Sequence, residues 1–296
     1  MFEQGELSDF RLLTNSNEVI PERFEPNLFA WGKDENGAVY ALPYNNANEF
    51  PLFYNKSIFD KLGVPYPSDK MTWEDVIGLA EKVTANIDGK RIHGFDPADL
   101  ALMRMQLAVL YLDSKTGQPN LLHQDWMKIT RTVKKIYALK ENILPDKKRL
   151  LRFNGYFVRH QTVAMGMICA SCFDPKDLSF EWDIVSYPIY EDGPAWNANI
   201  PGLGLAISTN CSDPDATIEV VSYLISDDHQ RRNARNGIRP SIIDPRIHAE
   251  FGMNNPLYYG KNIASFSIHS PAPPHKNKFE RDWNGYNIIR SSLIEK

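Results

Sequence analysis

Cys169-Ala-Ser-Cys172 has the C-x-x-C spacing shared by redox and zinc sites. A structural zinc needs four ligands, and neither a second C-x-x-C nor a His pair stands at ligand spacing to complete the set. The cysteines number 3, an odd count that argues against a disulfide framework. Met165, Met167 and Ile168 precede the pair, which reads as small residues at the buried end of a strand. The 7 histidines are scattered without metal spacing. Pro201–Gly204 is glycine-rich, but no Lys-Ser/Thr follows it, so it is not a phosphate-cradling P-loop. Gly-x-Ser-x-Gly and His-Glu-x-x-His are absent. Carboxylates are plentiful, yet nothing marks two of them as a glycosidase pair, and Asp34, Glu35 and Asp60 read as solvated turn or helix-end charges. The sequence thus predicts no catalytic group, no metal and no cofactor.

Groups able to hold a neutral ligand without altering it concentrate in residues 38–61. Two β-prone runs, Val39–Leu42 and Leu52–Tyr54, flank a stretch of small amides broken by Pro43 and Pro51. Proline donates nothing to a sheet ladder, so neither strand is expected to run through the stretch. Asn45, Asn46, Asn48 and Glu49 then cluster where the chain leaves one strand and enters another. Taken alone, such a junction reads as an ordinary solvated loop.

The segments around it change that balance. Tyr40-Ala41-Leu42-Pro43 is followed by Leu52-Phe53-Tyr54-Asn55-Lys56-Ser57-Ile58-Phe59, by Gly63-Val64-Pro65 and by Met71-Thr72-Trp73-Glu74-Asp75. Further on come Phe153 to Met167, Trp182 to Ile207 and Gly237 to Ser241. In this order and spacing the chain resembles the extracellular solute-binding proteins of ABC importers. More narrowly it resembles family 1, which binds sugars and oligosaccharides and includes maltose-binding protein. Arg159 and His160 make the match looser ahead of the Val163 strand.

The resemblance implies an α/β, periplasmic-binding-protein-like (type II) fold, two α/β lobes joined by hinge crossings near Leu42–Tyr44, Val185–Pro188 and Pro240. One lobe would hold residues 1–42 and 189–239, the other 44–184 and 241–296. Gly5–Leu13 resembles a segment that in relatives follows an opening βαβ portion, so the first lobe is expected to be incomplete. The N-terminus lacks the basic and apolar regions of a signal peptide.

For the ligand, the resemblance implies a sugar held in the inter-lobe cleft by flat rings and planar polar groups. The matching positions are Tyr44, Asn45, Asn46, Asn48 and Glu49 at the first crossing and Asp96 after the Ile92 strand. They continue with Ser171 and Phe173 after the Met165 strand, Trp196 and Asn199 before the glycine-rich strand, Arg239 before the last crossing, and Trp283. Each has an ordinary alternative: Asn45 and Asn46 as backbone caps, Arg239 as a surface ion pair, Trp283 as helix packing. The implied partners are a carbohydrate and ABC permease subunits. The implied place is extracellular, membrane-associated through the permease or a lipid anchor that this chain does not show.

Composition agrees with a globular chain. Its 296 residues allow two domains, and 43% hydrophobic with 24% charged residues allows a sizeable core without staples. A net charge of -4 without a basic run disfavours nucleic acid. No stretch is long and apolar enough to span a bilayer. Helices are expected at Ser57–Lys61, from Thr72 with Asp75 as a capping box, over Leu100–Leu112, over Asp125–Lys140 and over Asp213–Ser226, alternating with strands. Trp73 and Trp126 fall on buried helix faces. Two rival readings stay open: a carbohydrate-active hydrolase, and a remnant with little affinity for ligand.

Overall fold

A computed structural model describes residues 5–13, 20–46, 50–97, 100–139, 155–170, 175–199, 202–274 and 285. In chain order its helices are α1 (Phe10–Leu13), α2 (Pro26–Phe29), α3 (Lys56–Leu62), α4 (Trp73–Val83), α5 (Leu100–Gln106), α6 (Gln124–Ala138), α7 (Pro214–Leu224), α8 (Asp227–Arg235) and α9 (Pro245–His248). Its strands are β1 (Leu42–Pro43), β2 (Leu52–Asn55), β3 (Ala85–Ile87), β4 (Lys90–Asp96), β5 (Val163–Met167), β6 (Trp182–Val185), β7 (Trp196–Asn197), β8 (Gly204–Leu205) and β9 (Ser270–Pro271). The chain divides into two units, residues 1–48 with 199–263 and residues 49–198 with 264–296.

In the first unit β1 pairs antiparallel with β8, Leu42 opposite Leu205 and Pro43 opposite Gly204. The expected strand over Val39–Leu42 shrinks to Leu42–Pro43 because the amides before it point elsewhere. Tyr40 N–H and Ala41 N–H both donate to Gly32 O, at 2.8 and 3.4 Å. Pro43 is tolerated because a two-stranded ribbon asks little of its missing donor. Phe10, Phe24, Leu42, Ile207, Ile225 and Ile242 share one hydrophobic core. Asp213 caps α7 through Ala216 N–H, with Pro214 at the first helical position. The single helix expected over Asp213–Ser226 ends at Leu224, and Ser226 caps a new helix, α8, through His229 N–H.

In the second unit the sheet order is β3-β4-β5-β2-β6. β2 lies antiparallel to β5 and β6, and β4 runs parallel to β5. Every residue of β2 is buried, as an interior strand covered on both faces requires. Asp88 (φ 52°) and Gly89 (φ 78°) turn the chain between β3 and β4, the paired positive φ of a tight hairpin. Thr72 and Asp75 form the expected capping box, and α4 buries Trp73, Val76, Ile77, Ala80 and Val83. On α6 the buried face holds Trp126, Ile129, Thr132 and Ile136, with Val133 and Tyr137 only half-buried. The apolar helix expected to run to Leu112 stops at Gln106, and Ala108 turns out of it at φ 50°.

The handovers between units fall after residues 48, 198 and 263, later than the crossings expected near 42–44, 185–188 and 240. Packing explains the shift. Ile242 and Ile247 join the core of Phe24 and Ile225, which keeps the chain beyond Pro240 in the first unit. Ile189 bridges to Thr72 and accepts Trp73 N–H at 2.9 Å, which ties residues 189–198 to the second. Cys169 is buried and disulfide-bonded, where an odd cysteine count argues against a disulfide framework and the pair reads as small residues at a strand end. Among the described residues Cys211 is free; Cys172 lies outside them. Among the described residues no helix is long and apolar enough to cross a membrane.

Candidate functional site

Residues 43–46 approach the first handover with nearly every polar group engaged inside the first unit. Pro43 O accepts Ser241 Oγ at 2.6 Å. Tyr44 N–H donates to Leu203 O at 2.8 Å, and Tyr44 O accepts Gln230 Nε2 at 3.0 Å. Asn45 Oδ1 accepts Leu203 N–H at 2.7 Å, and Asn46 N–H donates to Arg239 O at 3.0 Å. A Cβ on Gly202 would lie 2.2 Å from Asn45 O, so only glycine lets the two backbones meet. Asn46 and Arg239 are buried. The surface ion pair considered for Arg239 is therefore replaced by an interior position, electrostatically coupled to Glu25.

The Tyr44 hydroxyl is held by α8. Asn233 Nδ2 donates to it at 3.0 Å and His229 Nε2 stands 2.9 Å away. A neutral His229 ring can meet the hydroxyl as donor or as acceptor, according to which ring nitrogen holds its proton. Burial, and then the charge of Arg232, push the His229 pKa down, which favours that neutral ring.

Beside this frame lies a concavity of about 260 Å³. Its walls include Trp31, Gly32, Leu42, Asn45 and the backbone of Gly202–Gly204. The half-buried Trp31 donates its indole N–H to Asn199 Oδ1 at 3.0 Å, and Asn199 Nδ2 donates to Asn27 O at 3.4 Å. A fully buried asparagine thus fixes the edge of an indole that borders an open, largely apolar hollow. Trp31 is not among the residues expected from the sequence. Its one local signal is Gly32, which lets the chain press against Ala41 and brings the ring to the β1–β8 ribbon.

The second unit holds two other expected residues. Asp96 is buried at the end of β4, in register with Gly166. Trp196 is half-buried in β7, which runs parallel to β9. Asn48, Glu49, Ser171, Phe173 and Trp283 lie outside the described residues. The structure therefore gathers Tyr44, Asn45, Asn46 and Arg239, and joins Asn199 to Trp31 in the same unit; Asp96 and Trp196 belong to the other. Among the described residues no group of His, Cys, Asp or Glu could hold a metal.

His248 gives this region a pH dependence. Its Nε2 lies 2.6 Å from Ile242 O. Burial lowers its pKa from 6.5, the Ile242 carbonyl opposes that, and the charge of Arg239 adds to it. Above 6.5 the ring is neutral folded or unfolded, so it contributes no pH dependence. Below 6.5 the unfolded chain takes up the proton first, so stability declines until the folded pKa is reached. Urea midpoints should fall between about pH 7.5 and pH 5.5, and His248→Gln should flatten that fall.

A family model described as bacterial extracellular solute-binding protein matches residues 12–231. The chain belongs to that family. Solved structures of family-like proteins share its fold, a type II periplasmic-binding-protein fold. An ABC substrate-binding protein from Listeria monocytogenes, in complex with cycloalternan, aligns at TM-score 0.72 and 18% identity, covering 99% of this chain and 75% of that one. A sugar transporter protein from Rhizobium etli, in an open conformation, aligns at 0.73 and 18%, covering 99% and 76%. The sugar-binding protein MalE from Xanthomonas citri aligns at 0.68 and 15%, covering 100% and 78%. At such identities the likeness is one of fold. No curated protein matches the sequence. The family is one of extracellular binding proteins.

Proposed function

We propose that this solute-binding protein captures a sugar or short oligosaccharide outside the cell and passes it to the permease subunits of an ABC transporter at the membrane. The observation that carries the reading is the Trp31 hollow: an indole face bordered by Asn45 and backbone, its edge held by Asn199. Such a surface suits the apolar face of a pyranose ring while planar amides serve its hydroxyls. Cycloalternan, in the complex with the Listeria monocytogenes protein, is a carbohydrate, which supports the class of ligand. In this reading Trp31 and Asn45 meet ligand in the first unit and Trp196 offers a ring in the second. Tyr44, Asn46 and Arg239 serve as the frame behind Trp31 and Asn45. No bond is made or broken, so chromogenic glycosides should not turn over.

Calorimetry against mono- and oligosaccharides tests the proposal. At least one sugar should bind, and Trp31→Ala should weaken it by about thirtyfold, the equivalent of ~2 kcal/mol of lost ring contact. A wild-type protein that binds no sugar, or a Trp31→Ala variant that binds as tightly as wild type, would overturn the reading.

A further inference from the structure

Gln106 ends α5 almost completely buried, at 1% exposure, and every hydrogen bond of its carboxamide is directed. Nε2 donates to Pro188 O at 2.7 Å and to Trp196 O at 2.8 Å. Oε1 accepts the indole N–H of Trp73 at 3.0 Å. The amide can sit only this way round. Reversed, it would set an oxygen against two carbonyl oxygens and an N–H against an N–H. The Trp73 that orients it is buried in the centre of the second unit, stacked edge-on against Tyr187.

The Trp196 end of this network needs such a fixture. The chain reaches it through Asp192, Gly193, Pro194 and Ala195, a turn that is mostly exposed. Among the described residues Trp196 N–H donates back to Pro194 O, at 2.9 Å. β7 is short, Trp196–Asn197, and pairs with an equally short β9. Among the described residues Trp196 O is therefore tied to the interior of its unit by the side chain of Gln106.

We propose that Gln106 is a positioning residue for ligand recognition: its carboxamide fixes the backbone of Trp196 and thereby the ring that Trp196 presents. This rests on the reading of Trp196 as a ligand-stacking ring. Removing the two donors leaves the carbonyls of Pro188 and Trp196 without their buried partner, and the segment relaxes toward solvent to satisfy them. The ring moves with it.

A double-mutant cycle with Gln106→Met and Trp196→Ala tests this, using the best-binding sugar of the panel. Methionine keeps the volume and removes the amide. Gln106→Met should weaken binding about tenfold, and should add almost nothing in the Trp196→Ala background. A general loss of stability would instead leave the affinity of the folded fraction unchanged, or act equally in both backgrounds. A second measurement needs no ligand: acrylamide quenching of Trp196, taken as the difference between each protein and its Trp196→Phe counterpart, should rise in Gln106→Met. Trp73→Phe, which keeps an aromatic ring but removes the donor that orients the amide, should raise it in the same direction if Gln106→Met does not fold. Unchanged quenching, or additive losses in the cycle, overturns the proposal. If wild type binds no sugar while quenching responds as stated, the sugar reading fails and the positioning of Trp196 stands.

Discussion

Gly32→Ala should cost the first unit more than about 4 kcal/mol, enough to leave it largely unfolded. A Cβ at this position would lie 1.8 Å from Ala41 O and 2.8 Å from its carbonyl carbon. Both are backbone atoms, so no rotamer change relieves the overlap. The two chains cannot simply part, because Gly32 O accepts Tyr40 N–H at 2.8 Å and the next residues form the β1–β8 ribbon. Gly37 provides the contrast. Its φ of 82° disfavours a side chain, but the space around it is open, with Arg11 Nη1 nearest at 3.7 Å. Gly37→Ala should cost only about 1 to 2 kcal/mol, the penalty of the left-handed conformation. Urea unfolding followed by circular dichroism measures both. A Gly32→Ala protein as stable as Gly37→Ala would show that the close approach of residues 32 and 41 is wrong.

Local chemistry explains which parts of this fold could be read from the sequence. The capping box of Thr72 and Asp75 depends on residues a few positions apart and stands as expected; the Asp213-Pro214 start of α7 and the left-handed Gly63 that ends α3 have the same local origin. The same is true of Trp73 and Trp126, whose burial follows from helical periodicity. The order of motifs sufficed for the family and the α/β fold. What stayed hidden is set by distant partners. Gln106 looks like one polar residue at the end of an apolar helix until Trp196 meets it, with a sequence separation of 90. Trp31 becomes part of a site only through Asn199, at a separation of 168. The last handover lies beyond Ile263 because Ile242 and Ile247 pack back into the first core, which no turn signal at Pro240 announces. In the frame, Tyr44 and Asn46 are drawn into backbone and helix contacts that the loop sequence alone does not show.

The same logic makes Gln230→Leu the second large effect. Gln230 is fully buried on the inner side of α8. Nε2 donates to Tyr44 O at 3.0 Å and Leu224 O at 3.1 Å, and Oε1 accepts Ser241 N–H at 3.1 Å. One carboxamide thus joins the end of α7, the strut at 43–46 and the segment at 239–241. Leucine fits the volume but leaves two carbonyls and one N–H buried without this partner. At about 1 to 3 kcal/mol for each unsatisfied group, reduced by local relaxation, the loss should reach ~3 to 5 kcal/mol. Asn233→Ala, which removes a single donor to the Tyr44 hydroxyl, should cost nearer ~1 kcal/mol. Hydrogen exchange can locate the damage. The Ser241 amide donates to the Gln230 side chain at 3.1 Å, whereas Asn46 N–H donates to Arg239 O. Exchange at Ser241 should therefore accelerate well before exchange at Asn46. Equal acceleration at both would mean that the 43–46 strut depends on α8 as a whole rather than on this one amide.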